Sequence, residues 1–262
     1  LMLSWDLGAV EDAEKKRLIK AWSALLPELR EVRWLSLWSR VPQALFEAAC
    51  RMPQLEALQI KWSGIQRLDA ICALRRLRYL HIGSSTRIES IAPLAALGEL
   101  RLLDIENFKL VEDFTPLTAL TGLESLSVTG SMWSRQDTGS LTPFAAMTWL
   151  RVLELDTAFV TSLRPLAALK QLRILGLGGG LPMEEYAWLS AQLPRTACRW
   201  FAPYLDMSVH GYGACKQCAQ KSMVMLTGKG KGARVICRHC DRARLERHVL
   251  AFRSEQERAS GV

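Results

Sequence analysis

Apolar residues recur through the first three quarters of the chain in the pattern L-x-x-L-x-L. It falls at Val32/Leu35/Leu37, Leu55/Leu58/Ile60, Leu77/Leu80/Ile82, Leu100/Leu103/Ile105, Leu123/Leu126/Val128, Leu150/Leu153/Leu155 and Leu172/Leu175/Leu177. Successive starts are 23, 22, 23, 23, 27 and 22 residues apart. The alternation inside each unit has the period of a strand with one buried face. Between strands the period lengthens to three, as in Ile65/Leu68/Ile71/Leu74/Leu77, Ile88/Ile91/Leu94/Leu97/Leu100 and Val160/Leu163/Leu166/Leu169/Leu172. Such a unit, a strand with a helical or 3₁₀ return, cannot bury its apolar face alone. Neighbours must stack into a curved solenoid.

Within the returns, I-x-P-L-x-x-L reads Ile91-Ala92-Pro93-Leu94-Ala95-Ala96-Leu97, Leu163-Arg164-Pro165-Leu166-Ala167-Ala168-Leu169 and, in part, Phe114-Thr115-Pro116-Leu117. In these segments residues 29–194 resemble bacterial leucine-rich repeats of the internalin-like, 22-residue class. The resemblance implies an α/β repeat, a leucine-rich-repeat solenoid of about seven repeats, and a role in binding other macromolecules. One departure is plain: the Asn of the strand-to-return corner is replaced by Ser63, Ser85, Phe108, Ser131, Ala158 and Gly180. A weaker corner ladder and irregular curvature are expected.

Residues 11–26 place Leu18, Ile19, Trp22, Leu25 and Leu26 on one helical face before Pro27. This predicts an N-terminal capping helix within residues 1–28. The long step in the repeat comes from Ser131 to Ser140, expected to bulge from the scaffold. Side chains at the x positions of the strands should face outward. They are Trp34, Ser36 and Trp38; Ala57, Gln59, Lys61 and Trp62; Tyr79 and His81; Leu102, Asp104, Glu106 and Asn107; Ser125, Ser127 and Thr129; Val152, Glu154 and Asp156; then Gly176, Gly178 and Gly179. Trp34, Trp38, Trp62, Tyr79 and His81 make an aromatic half, and aromatic side chains anchor protein interfaces. Asp104, Glu106, Glu154 and Asp156 make an acidic half, which suits a protein partner with a basic surface and repels phosphates. A flat solenoid face lacks the walls that shift carboxylate pKa values, so these acids are not read as a catalytic pair.

Charge divides the chain. Residues 1–194 hold 21 Lys/Arg against 21 Asp/Glu, and residues 195–262 hold 13 against 5, together with three of the four His. This composition break predicts three parts: residues 1–28, the solenoid over 29–194, and a basic module over 195–262. That module carries Cys215-x-x-Cys218 and, after 18 residues, Cys237-x-x-Cys240. Each CxxC turn presents two thiolates on one side, and two turns together form the four-sulfur tetrahedron that Zn²⁺ prefers. Met223 to Leu226 and Ala233 to Ile236 read as strands joined by a Gly/Lys turn, and residues 241–253 as a helix with Leu245, Val249 and Phe252 on one face. The module resembles zinc ribbons and related four-cysteine modules. The expected cofactor is structural Zn²⁺, with rubredoxin-like iron and redox disulfides as rivals. His210, His239 and His248 are expected as surface or packing residues.

No run of about 18 apolar residues is present, so no membrane partner is expected. No basic start with a long apolar run is visible, which favours the cytoplasm. No nucleophile–base pair emerges; Cys198 reads as buried and inert, and no enzyme activity is expected. Two function classes remain. One is a non-catalytic protein-binding module acting through the concave face, of the immunity or antitoxin type against a basic toxin. The other is a nucleic-acid-associated factor that grips phosphates through Lys229, Lys231 and Arg234 while the repeats recruit a protein.

Overall fold

A computed structural model describes residues 1–3, 10–131, 133–208, 211–229 and 234–261. Eight parallel strands form one sheet in strict chain order. They are β1 (Met2–Leu3), β2 (Trp34–Val41), β3 (Ala57–Ser63), β4 (Tyr79–Ile82), β5 (Leu102–Glu106), β6 (Ser125–Thr129), β7 (Val152–Leu155) and β8 (Ile174–Leu177). The apolar alternation explains the register. Leu35, Leu58, Leu80, Leu103, Leu126, Leu153 and Leu175 are direct partners across neighbouring strands, and all are buried. Each such side chain contributes about 1.5–3 kcal/mol on burial.

The returns are mostly 3₁₀ turns: Asp69–Ala73, Ala92–Ala96, Thr115–Ala119 and Arg164–Ala168. Their form follows from the three-residue apolar period. A 3₁₀ helix has three residues per turn, so positions i and i+3 eclipse and stay on one side. Ile65, Leu68, Ile71, Leu74 and Leu77 are accordingly all buried. Pro93, Pro116 and Pro165 sit at the first or second position of their turns, where no backbone donor is needed. The first return is a true helix, α2 (Gln43–Cys50), and α3 (Thr142–Ala146) replaces one 3₁₀ turn.

Where the corner Asn is missing, other groups take over. Ser63 Oγ and Ser85 Oγ lie 2.6 Å apart, and Ser85 Oγ donates to Gly83 O at 2.8 Å. Gly83 is required there, since a Cβ would stand 2.1 Å from Lys61 O. Beyond Ser85 the corner position belongs to Phe108, fully buried, and the polar link moves one residue back to Asn107. Asn107 adopts a φ of 64° and bridges Ser84 Oγ and Ser134 Oγ. The pairing of β2 with β3 slips between Leu37 and Arg40, which places an irregularity at Trp38 and Ser39.

Both ends of the solenoid are closed. α1 (Asp12–Leu25) packs on the α2 side, where Arg51 donates to Ser23 O at 3.0 Å. The expected apolar face is only partly used: Leu26 is buried, Trp22 is half-buried and Leu25 is exposed. Strand β1 adds to the edge of β2, an element the repeat pattern does not signal.

At the other end the backbone runs on past β8. Ala197 bridges Ile174, and Thr196 Oγ1 donates to Leu172 O at 2.8 Å. Helix α4 (Met183–Gln192) supplies the last return. Trp200 seals the edge, its Nε1 donating to Leu177 O at 2.8 Å and its ring 6.1 Å from Tyr186. Ile174 faces the open side and is 53% exposed. The cysteine module follows without a gap in packing. It holds a second sheet, β9 (Tyr204–Asp206), β10 (Met223–Leu226) and β11 (Val235–Cys237), in the antiparallel order β11-β10-β9. Strand β9 is absent from the sequence expectation. Helix α5 (Arg242–Ser260) is longer than the expected 241–253. The extra turns are held by α4, because Gln192 Nε2 donates to Ala259 O and Gln256 Nε2 to Ser190 Oγ. No described helix is long and apolar enough to cross a membrane.

Candidate binding face and metal centre

The strand register sorts the outward side chains into rows that cross the sheet. One row runs Trp34, Ala57, Tyr79, Leu102, Ser125, Val152, Ile174. It is apolar along almost its whole length. Trp34 and Tyr79 close over Ala57, with ring centroids 6.0 Å apart, which explains why Ala57 is buried. Leu102, Val152 and Ile174 extend the row past the aromatic half. Leu102 and Val152 were visible in the sequence as x positions and Ile174 was not; lacking rings or charge, they gave no signal until the register aligned them.

The next row is polar: Ser36, Gln59, His81, Asp104, Ser127, Glu154, Gly176. His81 Nδ1 and Asp104 Oδ2 lie 2.8 Å apart, so the aromatic and acidic halves are joined by a direct pair. Ser36 is buried beneath β1 and donates to Gln59 Oε1. At the start of the sheet a hollow of about 500 Å³ is lined by Trp38, Lys61, Trp62, His81, Ser84 and Glu106. Trp38 and Trp62 remain 42% and 50% exposed, so the N-terminal helix does not cover them. Lys61 Nζ lies over the Trp38 ring at 4.9 Å, showing that this wall accepts a cation. Burial raises the pKa of Glu106, with His81 lowering it and Asp104 adding to the rise.

Asp156 must be taken out of the acidic set. It is 8% exposed and turned into the loop after β6. Its Oδ2 accepts from Gln136 N and its Oδ1 from Ala158 N, both at 3.1 Å. The insertion does not simply bulge. Ser131 and Ser134 close a tight turn that projects Trp133, 90% exposed, and then Gln136 and Thr138 fold back into the interior. The carboxylate thus ties down donors that the extra residues bring in. Asp156→Ala is expected to cost about 1–3 kcal/mol, the penalty for orphaned buried donors. A chemical denaturation series checks this; a loss below half a kcal/mol would count against the structural role.

The four clustered cysteines converge. All four sulfurs lie within 4.8 Å of one another, with Cys215 to Cys240 at 3.8 Å and Cys218 to Cys237 at 3.6 Å. A tetrahedral four-thiolate site with metal–sulfur bonds of about 2.3 Å has edges of about 3.8 Å. Backbone hydrogen bonds fix the shape of the turns. Cys215 N donates to Gln220 O and Ala219 N to Cys215 O, with Ala219 at a φ of 58°. Asp241 Oδ2 accepts from Cys237 N at 3.1 Å and locks the second turn. The backbone N–H of Cys240, with the Ser222 hydroxyl, lowers the Cys237 thiol to about 6, and Cys240 is pushed up to about 12 by the thiols beside it. Together these four residues can hold a metal ion. The other cysteines differ: burial pushes Cys50 up strongly and Cys198 to about 11, which makes both poor nucleophiles.

Of the basic residues singled out in the module, Lys229 and Arg234 lie at the seam with the solenoid rather than on a free ribbon. Lys229 N donates to Leu181 O, and the Arg234 guanidinium lies 4.7 Å over the Trp200 ring. Lys231 and His210 lie outside the described residues. His248 Nε2 is 2.9 Å from Pro203 O.

No family model matches the chain, and no curated protein matches it. Among solved structures, internalin C2 of Listeria monocytogenes is similar at 20% identity and a TM-score of 0.53, over 69% of this chain and 79% of that one. A leucine-rich-repeat protein of Leptospira interrogans is similar at 20% identity and a TM-score of 0.52, over 65% of this chain and 43% of that one. Another internalin of Listeria monocytogenes gives 21% identity and a TM-score of 0.48, over 65% of this chain and 54% of that one. The chain thus spans about half the length of this last protein and less than half of the Leptospira one. With the parallel sheet, the first two likenesses establish a leucine-rich-repeat fold.

Proposed function

We propose that the chain is a non-catalytic protein-binding module that engages its partner with the concave face of the solenoid. The observation that carries this reading is the adjacency of two rows, one running from Trp34 to Ile174 and apolar except at Ser125, the other bearing His81, Asp104 and Glu154. Exposed apolar side chains in a continuous row mark interaction sites. The acidic row beside it selects a partner with basic residues flanking an apolar ridge. The hollow between Trp38 and Trp62, with Glu106 at its wall, suits one Lys or Arg of that partner through cation–π and charge contacts. A basic toxin is such a partner, so the role is that of an immunity or antitoxin-type inhibitor acting in the cytoplasm. The four cysteines hold Zn²⁺ as a structural ion: the donor set is all sulfur, leaving no position for water or substrate. Its task is to fold the module that closes the solenoid.

The test is an affinity pull-down from native cell extract, with and without nuclease, using wild type, Trp62→Ala and Asp104→Lys/Glu154→Lys. One protein should be retained after nuclease and lost in the double variant. Trp62→Ala should weaken binding by about 2 kcal/mol, roughly thirtyfold. Retention that collapses with nuclease yet ignores all three substitutions would move the function to the basic module and a nucleic-acid partner.

A further inference from the structure

A second concave feature lies at the seam between solenoid and cysteine module. It is a cleft of about 480 Å³, within the size range of small-molecule sites. Four cations line it: Lys229 after β10, Arg234 before β11, and Arg244 and Arg247 from the first turns of α5. A single carboxylate, Glu184, stands among them. Elsewhere on the module some basic residues are paired and others, such as Lys216, Lys221 and Arg253, have no ion pair among the described residues. Arg238 pairs with Asp206 and Arg242 with Glu246, each at 2.8 Å. Lys229, Arg234 and Arg247 have no ion pair among the described residues. Lys229, Arg234 and Arg247, gathered beside the single carboxylate of Glu184, repel one another unless something anionic joins them.

The seam also holds an unmet donor. Arg234 Nε donates to Leu226 O at 2.9 Å and its plane is stacked on Trp200, which fixes the guanidinium. Its Nη2 is buried and has no acceptor among the described residues. Buried guanidinium donors are costly to leave unpaired. Helix α4 starts at the same cleft without a side-chain cap, so its positive end adds to the field. Gly228, at a φ of 86°, lets the backbone ride against Met183, where any Cβ would stand 2.4 Å from the Met183 nitrogen. The close approach brings Lys229 to the helix start.

We propose that this cleft binds a compact, multiply charged anion of the diphosphate class, held by the Arg234, Arg244 and Arg247 guanidinium groups and by Lys229. Planar guanidinium groups match phosphoryl oxygens in pairs, and the limited volume of the cleft suits a small ligand better than an extended strand. Two sources share this chemistry, inorganic pyrophosphate and the diphosphate of a nucleotide. The site is separate from the concave binding face, so it stands or falls independently of the reading above.

The test is calorimetric titration of the full metal-loaded chain with pyrophosphate, with ADP and with adenosine, at low ionic strength, with metal content measured after each run. Pyrophosphate and ADP should saturate one site and adenosine should not bind. ADP binding tighter than pyrophosphate assigns the nucleotide; equal affinity assigns the free anion. Arg244→Gln/Arg247→Gln should weaken binding at least about tenfold, as expected for lost charge-assisted bonds, while leaving near-ultraviolet circular dichroism unchanged. Glu184→Gln should tighten it. Failure of both phosphates to saturate, or equal binding by the double variant with its fold intact, overturns the proposal.

Discussion

Cys237→Ser in the full chain is expected to abolish stoichiometric zinc and to unfold the region from Tyr204 to Cys240 while the repeats stay folded. Among the described residues the three-stranded sheet has Val224, Leu226 and Ile236 as its own buried cluster, with Leu205 and Met225 packed on the main core. A segment of about 40 residues or fewer does not hold itself together on so little apolar burial. On the structural-zinc reading the metal supplies the difference, since structural zinc sites supply about 10–16 kcal/mol at neutral pH. Cys237 is the cysteine whose loss should matter most, being the buried one of the four and hydrogen-bonded to the Ser222 hydroxyl at 3.2 Å. Elemental analysis should give one zinc per wild-type chain and none for the variant. The near-ultraviolet signal of Trp200 should fall with it, since Arg234 leaves its ring when β11 unravels. A wild-type chain that carries no metal and still shows the full Trp200 signal would sink the structural-zinc reading. A visible absorption band in the wild type would point to iron instead.

How much of this was legible in the residues depended on the length scale of the signal. The parallel sheet and its returns were legible because both carry strict periods, two within strands and three between them. Leu77 closes one return and opens the next strand in the same count, so the two periods fix each other's phase. The two CxxC turns were legible for a similar reason: the spacing is local and the geometry it needs is local too. Strands β1 and β9 were not legible. Each is two or three residues long and exists only because an edge was available, Ser36–Leu37 for the first and Val224–Leu226 for the second.

The candidate site divides in the same way. Trp34, Trp38, Asp104, Glu106 and Glu154 all lie on the outward side of the sheet, because alternation decides which way a strand residue points, whereas Trp62 shares the parity of the buried Leu58 and Ile60 and is exposed where the β2–β3 register has shifted. Asp156 follows the last residue of β7, where alternation no longer applies, and the donor it meets arrives 20 residues earlier in sequence, from Gln136. Nothing in the local pattern could have announced that meeting. The basic cleft was hidden for the same reason. Arg234 reads as one more charge on a ribbon until the ribbon is docked against Trp200 and Gly179.

That docking leads to the second large effect. Phe252→Ala is expected to cost about 3–5 kcal/mol, the usual result of emptying a fully buried aromatic position. Phe252 is the one α5 residue that belongs to the main core, and it is 0% exposed. Its loss should release α5 from α4 and with it the Gln192–Ala259 and Gln256–Ser190 bonds. In a solenoid each unit touches only its neighbours, so the damage should fade along the sheet. Hydrogen exchange should therefore show lost protection over residues 248–260 and in α4, a smaller loss in β8, and none in β3 to β5. Leu250→Ala is the control: at 67% exposure it should shift stability by less than about 0.5 kcal/mol. If Phe252→Ala instead accelerated exchange evenly from β3 to α5, solenoid and module would be one cooperative unit. The zinc substitution would then unfold the repeats as well, and the concave face would depend on the metal.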